Sequence, residues 1–237
     1  MVDYTTTPEA AYATPQAQVE RIGAFLRSVY GWMCLGLMIT ALTAGLVASS
    51  PQLMATVMTN SVLFWGMAIA QIGLVLVISG RVHKLATSTA SALFVAYSML
   101  TGVTLSVILF VFTGDSIAST FVVTAGMFGG MAAFGTVTRR SLAGWGQFLF
   151  MGLIGVVLAS VVGIFWQNDG FQFVTAFIGV IVFTGLAAYD AQRLKAMALA
   201  TPDGQAGSYA ILGALIVYLD FINLFLFLLR LFGSRRR

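Results

Sequence analysis

The chain has 237 residues, of which 59% are hydrophobic and only 8% are charged. Soluble globular domains carry about 25% charged residues, so this composition excludes a soluble protein and predicts an all-α, polytopic membrane protein. The net charge of +4 is also compatible with nucleic-acid binding, but the basic residues stand in small clusters between apolar segments, as the loop residues of membrane proteins do. We therefore expect the lipid bilayer as a partner and no nucleic acid.

The chain divides into a polar tail and one membrane domain. Residues 1–20 combine Ala, Thr and Gln with two prolines and predict a flexible cytoplasmic tail. Residues 21–237 predict a bundle of seven transmembrane helices, because seven apolar segments approach the roughly 20 residues that cross a bilayer. The predicted spans are about 29–49, 61–79, 88–112, 116–137, 145–166, 171–199 and 209–232. The first exceeds the roughly 7–15 apolar residues of a signal peptide, so we expect it to be retained.

The loops of the predicted bundle indicate its topology. Turn-like sequences at 113–116 and 167–170 predict that spans three and four, and spans five and six, form antiparallel hairpins. The positive-inside bias predicts a cytoplasmic N-terminus in the cell (inner) membrane, because every Lys or Arg between spans then lies inside. Arg230 and the arginines at 235–237 are the exception, because seven spans place them outside. A re-entrant last segment would remove this exception, but its unbroken apolar character favours a straight helix.

Asp220 is the anomaly of the last span, because it stands inside a strongly apolar segment. A charge at the centre of a spanning helix costs at least about 2.5–3.5 kcal/mol, so an intramembrane aspartate is a functional-site hypothesis by default. At 100° per residue, Asp220 shares one helix face with Gly213, Asn223, Phe227 and Arg230. We expect this face to look into protein and not into lipid.

A second carboxylate, Asp190, lies near the end of span six. The helix should continue to about Leu199, where a Thr-Pro-Asp-Gly sequence ends it, with Arg193 and Lys195 reaching the cytoplasmic surface. Asp190 then lies roughly 13 Å above that helix end, and Asp220 roughly 16 Å above the start of the next helix. The two carboxylates are therefore expected at similar depth.

Antiparallel neighbouring helices can bring two such aspartates face to face. Two carboxylates a hydrogen bond apart in a low dielectric cannot both be charged comfortably, so Asp190 and Asp220 would share one proton. The alternative is that each aspartate only binds arginine or backbone groups for packing, with Arg193 one turn from Asp190.

The remaining polar and small residues give weaker signals. Arg81 closes span two on the cytoplasmic side, where it either reaches the carboxylates and holds a closed state or only anchors the helix at the interface. His83 has no partner at metal-ligand spacing, and Cys34, the only cysteine, is expected to be a small buried side chain. Gly126 and Gly130 form a small-xxx-small pair, which lets helices approach closely.

Three segments resemble motifs of a known family: Tyr189-Asp190, Tyr218-Leu-Asp-Phe-Ile-Asn-Leu-Phe225 and Leu228-Leu-Arg-Leu-Phe-Gly233. The chain resembles the transmembrane Bax inhibitor motif family, the Bax inhibitor-1-like proteins, in its bacterial form. The likeness extends less sharply over spans two to seven. It implies a seven-helix bundle whose last helix is central and is wrapped by three hairpins.

The same resemblance implies a pH-sensitive calcium leak. In that family, the aspartates matching Asp190 and Asp220 form a dyad that acts as pH sensor and gate, and an arginine that Arg81 resembles latches the closed form. Asn223, Arg230 and Tyr189 are candidates for a polar face that supports the dyad.

The leading functional hypothesis is a passive, proton-regulated cation pathway without catalytic residues or cofactors. Calcium is the expected ion, because it takes carboxylate and carbonyl oxygens as ligands. Asp190 and Asp220 are few ligands, so we expect weak contacts that permit permeation.

Two other functions remain as alternatives. Intramembrane aspartyl proteases also pair Tyr-Asp on one span with Asp on the next, but they carry Gly-x-Gly-Asp where this chain has Val-Tyr-Leu-Asp220. The missing glycines argue against an enzyme. The other alternative is an interaction protein that modulates a membrane protease or another membrane complex, in which case residues 1–20 would matter more than the dyad.

Overall fold

The computed structural model describes residues 14–166, 168–202 and 204–236, and this part of the chain is helical apart from loops and one isolated bridge. Its helices are α1 (Pro15–Ser49), α2 (Pro51–Thr59), α3 (Ser61–Arg81), α4 (Thr87–Leu105), α5 (Ile108–Val111), α6 (Gly114–Val137), α7 (Ala143–Phe165), α8 (Asp169–Ala200) and α9 (Ala206–Phe232). A 3₁₀ turn, Val82–Lys84, follows α3. Within the described residues, seven helical segments are long and apolar enough to cross a membrane, and the third of them comprises α4 and α5. The predicted all-α, seven-span class is confirmed.

Side-chain caps explain where several helices begin. An Asn or Thr side chain at an N-cap accepts a hydrogen bond from a backbone N–H of the first turn, which would otherwise lack a partner. Four helices use this cap: Thr14 accepts from Ala17, Asn60 from Leu63, Thr113 from Ser116 and Asn168 from Phe171. Thr14 and the proline after it start α1 at Pro15. Residues 15–20 are therefore helical and exposed, whereas residues 1–13 of the expected tail lie outside the described residues.

The last helix, α9, occupies the centre of the bundle. It packs against α1 and α4 on one side and against α6 and α8 on the other. Its most apolar window is 67% buried, against 11% for the corresponding windows of α3 and α7, which are the outermost helices. The expected central position of the last helix is confirmed, and α9 joins two groups of helices, α1–α3–α4 and α6–α7–α8.

One of the two expected hairpins is absent. Spans five and six, α7 and α8, pack against each other as predicted, but α4 and α6 do not pack along their lengths. The turn between them only redirects the chain, because α4 buries its surface on α1 while α6 buries its surface on α8. The prediction for spans three and four is wrong because turn chemistry sets a connection and not which helix faces are buried.

The C-terminal residues lie at the same end of the bundle as the α5–α6 turn. The Thr113 N–H donates to the Ser234 carbonyl (3.0 Å) and the Arg236 N–H donates to the Val111 carbonyl (2.9 Å), which forms a short antiparallel bridge. The re-entrant alternative for the last segment is wrong, because α9 runs unbroken from Ala206 to Phe232.

Close helix approaches occur at glycines that the sequence pattern did not single out. A Cβ atom on Gly102 of α4 would lie 2.6 Å from the Thr40 carbonyl oxygen of α1, and one on Gly135 of α6 would clash with the Ala188 backbone of α8. Gly126 and Gly130 are exposed, and neither has another residue within 4 Å of an added Cβ. The predicted role of that pair in helix packing is therefore wrong.

Candidate functional site

The two aspartates meet where α8 and α9, the most extensively packed pair of helices, run antiparallel. Asp190 and Asp220 are each only 6% exposed, line the same cavity and are close enough for their carboxyl groups to interact electrostatically. We call this buried carboxyl pair the dyad. A hydrogen bond between its two groups would require a proton on one of them.

A cavity of about 640 Å³ opens beside the dyad between α7, α8 and α9. Tyr189 and Asn223 line it together with the two aspartates, and the exposed side chains of Gln147 and Arg193 stand at its edge. The cavity therefore gives the carboxyl groups a route towards the end of the bundle at which α8 ends and α9 begins.

Two neighbours shape the polar lining of this cavity. Tyr189 packs its ring against Gly146 of α7, where an added Cβ would lie 2.5 Å from the ring Cζ. Asn223 Nδ2 donates to the Leu219 carbonyl at 2.8 Å, one turn earlier in α9. The Asn223 amide oxygen makes no hydrogen bond within the described part of the chain, so it is available as an acceptor.

The charges around the dyad are unequally distributed. Arg193 Nη1 lies 3.8 Å from Asp190 Oδ1, with its side chain 57% exposed. Asp220 Oδ2 is buried and has no hydrogen-bond partner among the residues described. From α1, the buried Tyr30 hydroxyl adds a polar group close to Asp190. Two carboxyl groups thus face one cation, which itself reaches solvent.

Not all the candidate residues lie at this site. Arg81 is exposed and, in the structure as described, forms no ion pair or hydrogen bond with either aspartate; Arg193 is the basic residue beside them. Arg230 lies about 15 Å further along α9 than Asp220 and lines a different pocket. His83 is exposed in the turn after α3. Cys34 is exposed on α1, so its expected burial is wrong.

The expected face of α9 is largely turned into protein. Gly213 packs beneath Leu194 of α8, and Phe227 is buried with its ring stacked on Phe183, 5.8 Å between centroids. Asn223 is half-buried, whereas Arg230 is exposed.

A second polar contact fixes the opposite side of α9, and the sequence analysis missed it. The Tyr218 hydroxyl lies 2.6 Å from Thr40 Oγ1 of α1, and both side chains are buried. The Tyr218 ring packs edge-on against Phe94 and Tyr97 of α4. A hydroxyl inside an apolar segment that spans a membrane was the available signal, because it needs a partner there.

Hydrogen bonds with α1 and α6 hold the C-terminal end of α8 in place. Arg21 of α1 donates to the carbonyls of Ala198 and Thr201, and Lys195 donates to the Thr136 carbonyl at the end of α6 at 2.6 Å. Lys195 is thus half-buried and bonded to α6, and does not reach freely to the surface as expected. Positive groups on terminal carbonyls complement the negative end of a helix.

The described residues contain no group of three or more His, Cys, Asp or Glu side chains that could hold a metal ion. The dyad offers two carboxyl groups, and the free Asn223 oxygen is a further oxygen in the same cavity. A hard cation usually takes six to eight oxygen ligands. Chemically, the arrangement suits proton exchange and weak contact with a partly hydrated cation.

The bundle and its buried carboxyl pair define a multi-pass membrane protein. A family model described as "Inhibitor of apoptosis-promoting Bax1" matches residues 22–237. The chain belongs to this family, the Bax inhibitor-1 family.

Bacterial proteins resemble the chain over most of its length. It is 51% identical over 215 residues to the inner membrane protein YbhL of Escherichia coli K12, covering 90% of this chain and 92% of that protein. An uncharacterized protein of Borreliella burgdorferi is 44% identical over 214 residues, with 90% and 92% coverage. An uncharacterized protein of Rickettsia prowazekii is 35% identical over 237 residues, and the alignment covers 100% of both chains. The expected location in the inner membrane is confirmed.

Proposed function

We propose that the protein is a proton-regulated leak for calcium or similar cations, gated by Asp190 and Asp220. The observation that carries this proposal is the buried contact between the two carboxyl groups at the edge of a cavity. A buried carboxyl pair is costly inside a membrane protein, and such residues mark ion pathways and proton relays.

The shared proton supplies the switch. While it is present, a hydrogen bond joins α8 to α9 and the dyad carries at most one negative charge. When the pH rises and the proton leaves, two adjacent carboxylates repel each other in a medium of low dielectric. The repulsion favours separation of the helices, and the two negative charges attract a cation into the cavity. The state with the higher flux is therefore the deprotonated one.

In this proposal, aromatic packing would close the route beyond the dyad. Phe183 lines the cavity and stacks on Phe227, which is buried against Gly179 of α8. Separation of α8 from α9 would loosen this packing in the same movement that parts the carboxyl groups. The dyad and the aromatic pair thus act on one helix interface.

The small number of protein oxygen ligands favours permeation of a calcium ion over tight binding. Two carboxylates and one amide oxygen leave most of the coordination shell of a calcium ion to water, so the contact is weak and the ion can leave. Nothing in this mechanism requires bond making, so the proposal is a transport role and not an enzymatic one.

The decisive experiment measures calcium flux into proteoliposomes across about pH 6 to 8. Wild-type flux is expected to rise with pH. Asp220→Asn places an amide N–H permanently between the two groups, so its flux should stay low and become independent of pH; Asp190→Asn should behave alike. A flux with unchanged pH dependence in both variants would refute the gate. No flux above empty liposomes at any pH would refute the leak and favour the interaction role.

A further inference from the structure

A second polar pocket lies at the opposite end of the α7–α8–α9 interface from the dyad. Its volume is about 140 Å³, and its lining includes Ser160 of α7, Gln172 and Thr175 of α8, and Arg230 of α9. Ser160 lies near the end of α7, Gln172 near the start of α8 and Arg230 in the last turn of α9. The pocket therefore lies where the three spans approach the membrane surface.

Arg230 brings an uncompensated positive charge to this pocket. Its guanidinium Cζ lies 5.9 Å from the Phe227 ring centroid, and among the described residues it has no carboxylate partner. The charged group close to it is Arg235, which has the same sign. A guanidinium at the edge of the hydrocarbon region is unfavourable without a counter-charge. A counter-charge for Arg230 would therefore come from outside the described residues, and the exposed guanidinium is accessible to it.

Two further side chains in the pocket have unused hydrogen-bonding groups. The Ser160 hydroxyl and the Gln172 amide are half-buried, and neither bonds to another residue in the described ranges. Thr175 differs, because its hydroxyl donates to the Phe171 carbonyl at 2.8 Å. A guanidinium, a hydroxyl and an amide together offer several donors to one compact group of oxygen acceptors.

The acidic residues at this end of the bundle do not neutralise the pocket. Asp115 and Asp169 stand in the first turns of α6 and α8, and neither lines it. Negative charges in these positions are already stabilised by the positive end of a helix. The pocket stays basic, and the exposed side chain of Ile164 in its lining marks an apolar flank.

We propose that this pocket binds the phosphate group of a membrane lipid. A phosphate offers the acceptor oxygens that a planar guanidinium binds in pairs, and Ser160 and Gln172 would bind the remaining oxygens. The acyl chains would lie along the apolar flank of α7. The proposal explains why basic residues stand at the end of the bundle where the positive-inside bias predicts few. It is independent of calcium transport.

The test is native mass spectrometry of the full chain in detergent with three probes: phosphatidylglycerol, diacylglycerol with the same acyl chains, and inorganic phosphate. Wild-type protein should retain phosphatidylglycerol and not diacylglycerol. Arg230→Gln should weaken retention about tenfold, and the double variant Ser160→Ala/Gln172→Leu, which keeps the charge, several-fold. Arg139→Gln, at an exposed arginine at the other end of the bundle, is the control and should bind as wild type does.

Three results would overturn the proposal. Equal retention of phosphatidylglycerol by the Arg230→Gln and Arg139→Gln proteins would show that the pocket does not supply the contact. Equal retention of diacylglycerol would show that only the acyl chains bind. Inorganic phosphate that competes as well as the lipid would make the ligand a free anion. The double variant keeps the test valid if Arg230→Gln does not fold.

Discussion

The Tyr218 hydroxyl on α9 lies 2.6 Å from Thr40 Oγ1 on α1, while Asp220, two residues later, meets Asp190 on α8. Two residues turn a helix by about 200°, so the two contacts lie on opposite sides of α9. One side of α9 makes its polar contact through neutral hydroxyl groups, and the other side through two carboxyl groups. In the proposed gate, α9 would keep its contacts with α1 and α4 when the two carboxyl groups part.

Loss of the neutral contact should destabilise the protein. Tyr218→Phe removes one buried hydrogen bond and keeps the ring, so we expect a loss of about 0.5–1.5 kcal/mol in the free energy of unfolding. Thr40→Val removes the same contact from α1, and a double-mutant cycle should give a coupling energy clearly above zero. Unfolding in mixed micelles measures these values, with Thr56→Val, at an exposed threonine of α2, as the control. Additive losses would show that the two hydroxyls do not interact energetically.

Arg193, rather than Arg81, should set the pH at which flux begins. The guanidinium 3.8 Å from Asp190 favours the ionised dyad, so Arg193→Gln should move the midpoint of calcium flux to higher pH. The shift should be a fraction of a pH unit, because Arg193 is largely exposed and screened. Arg81→Gln should leave the midpoint unchanged. The reverse result would support the latch that the family resemblance implied for Arg81.

The packing of the Tyr189 ring should depend on Gly146 of α7. Gly146→Ala places a methyl group 2.5 Å from the Tyr189 ring Cζ, so the ring must move or the helices must part, at a cost of about 1–3 kcal/mol. Gly155→Ala in the same helix is the matched control, because nothing lies within 4 Å of its Cβ position. Thermal unfolding in detergent should separate the two variants. Equal melting temperatures would mean that the α7–α8 contact adapts without strain.

The orientation of the bundle can be tested with single cysteines in a Cys34→Ser background. Ser141 is exposed between α6 and α7 beside Arg139 and Arg140, and Gln52 is exposed on α2 at the other end. A membrane-impermeant maleimide added to intact spheroplasts should label Gln52→Cys and not Ser141→Cys. Labelling of Ser141→Cys alone would invert the predicted topology.

The sequence was sufficient to predict the seven spans, because a bilayer imposes a length on apolar segments. The cost of Asp220 indicated a protein-facing helix face, and the family resemblance implied the central position of the last helix. The sequence was not sufficient to predict which helices pack together. Short turns suggested that spans three and four form a hairpin, but burial of whole helix faces on α1 and α8 decided otherwise. Gly126 and Gly130 show the same limit, because a motif does not reveal which face of a helix meets a neighbour.

The candidate site was likewise predictable from the sequence only in part. The equal depth of Asp190 and Asp220 follows from helix geometry alone, and their contact agrees with it. Arg81 and Arg230 could not be placed in this way, because rotation about the helix axis and side-chain direction depend on neighbours distant in sequence. The contacts of Tyr218 with Thr40 and of Lys195 with Thr136 likewise join residues far apart in the chain.

The burial of α9 has a consequence for biogenesis. Six spans leave the ribosome before α9, yet Thr40 and Asp190 on these spans each lack one polar partner, Tyr218 or Asp220, until α9 is inserted. The earlier helices must therefore remain separable in the bilayer, with a central gap, until the most buried helix arrives. Membrane insertion and tertiary assembly of this protein are thus distinct events, and the final step completes both the core and the carboxyl pair.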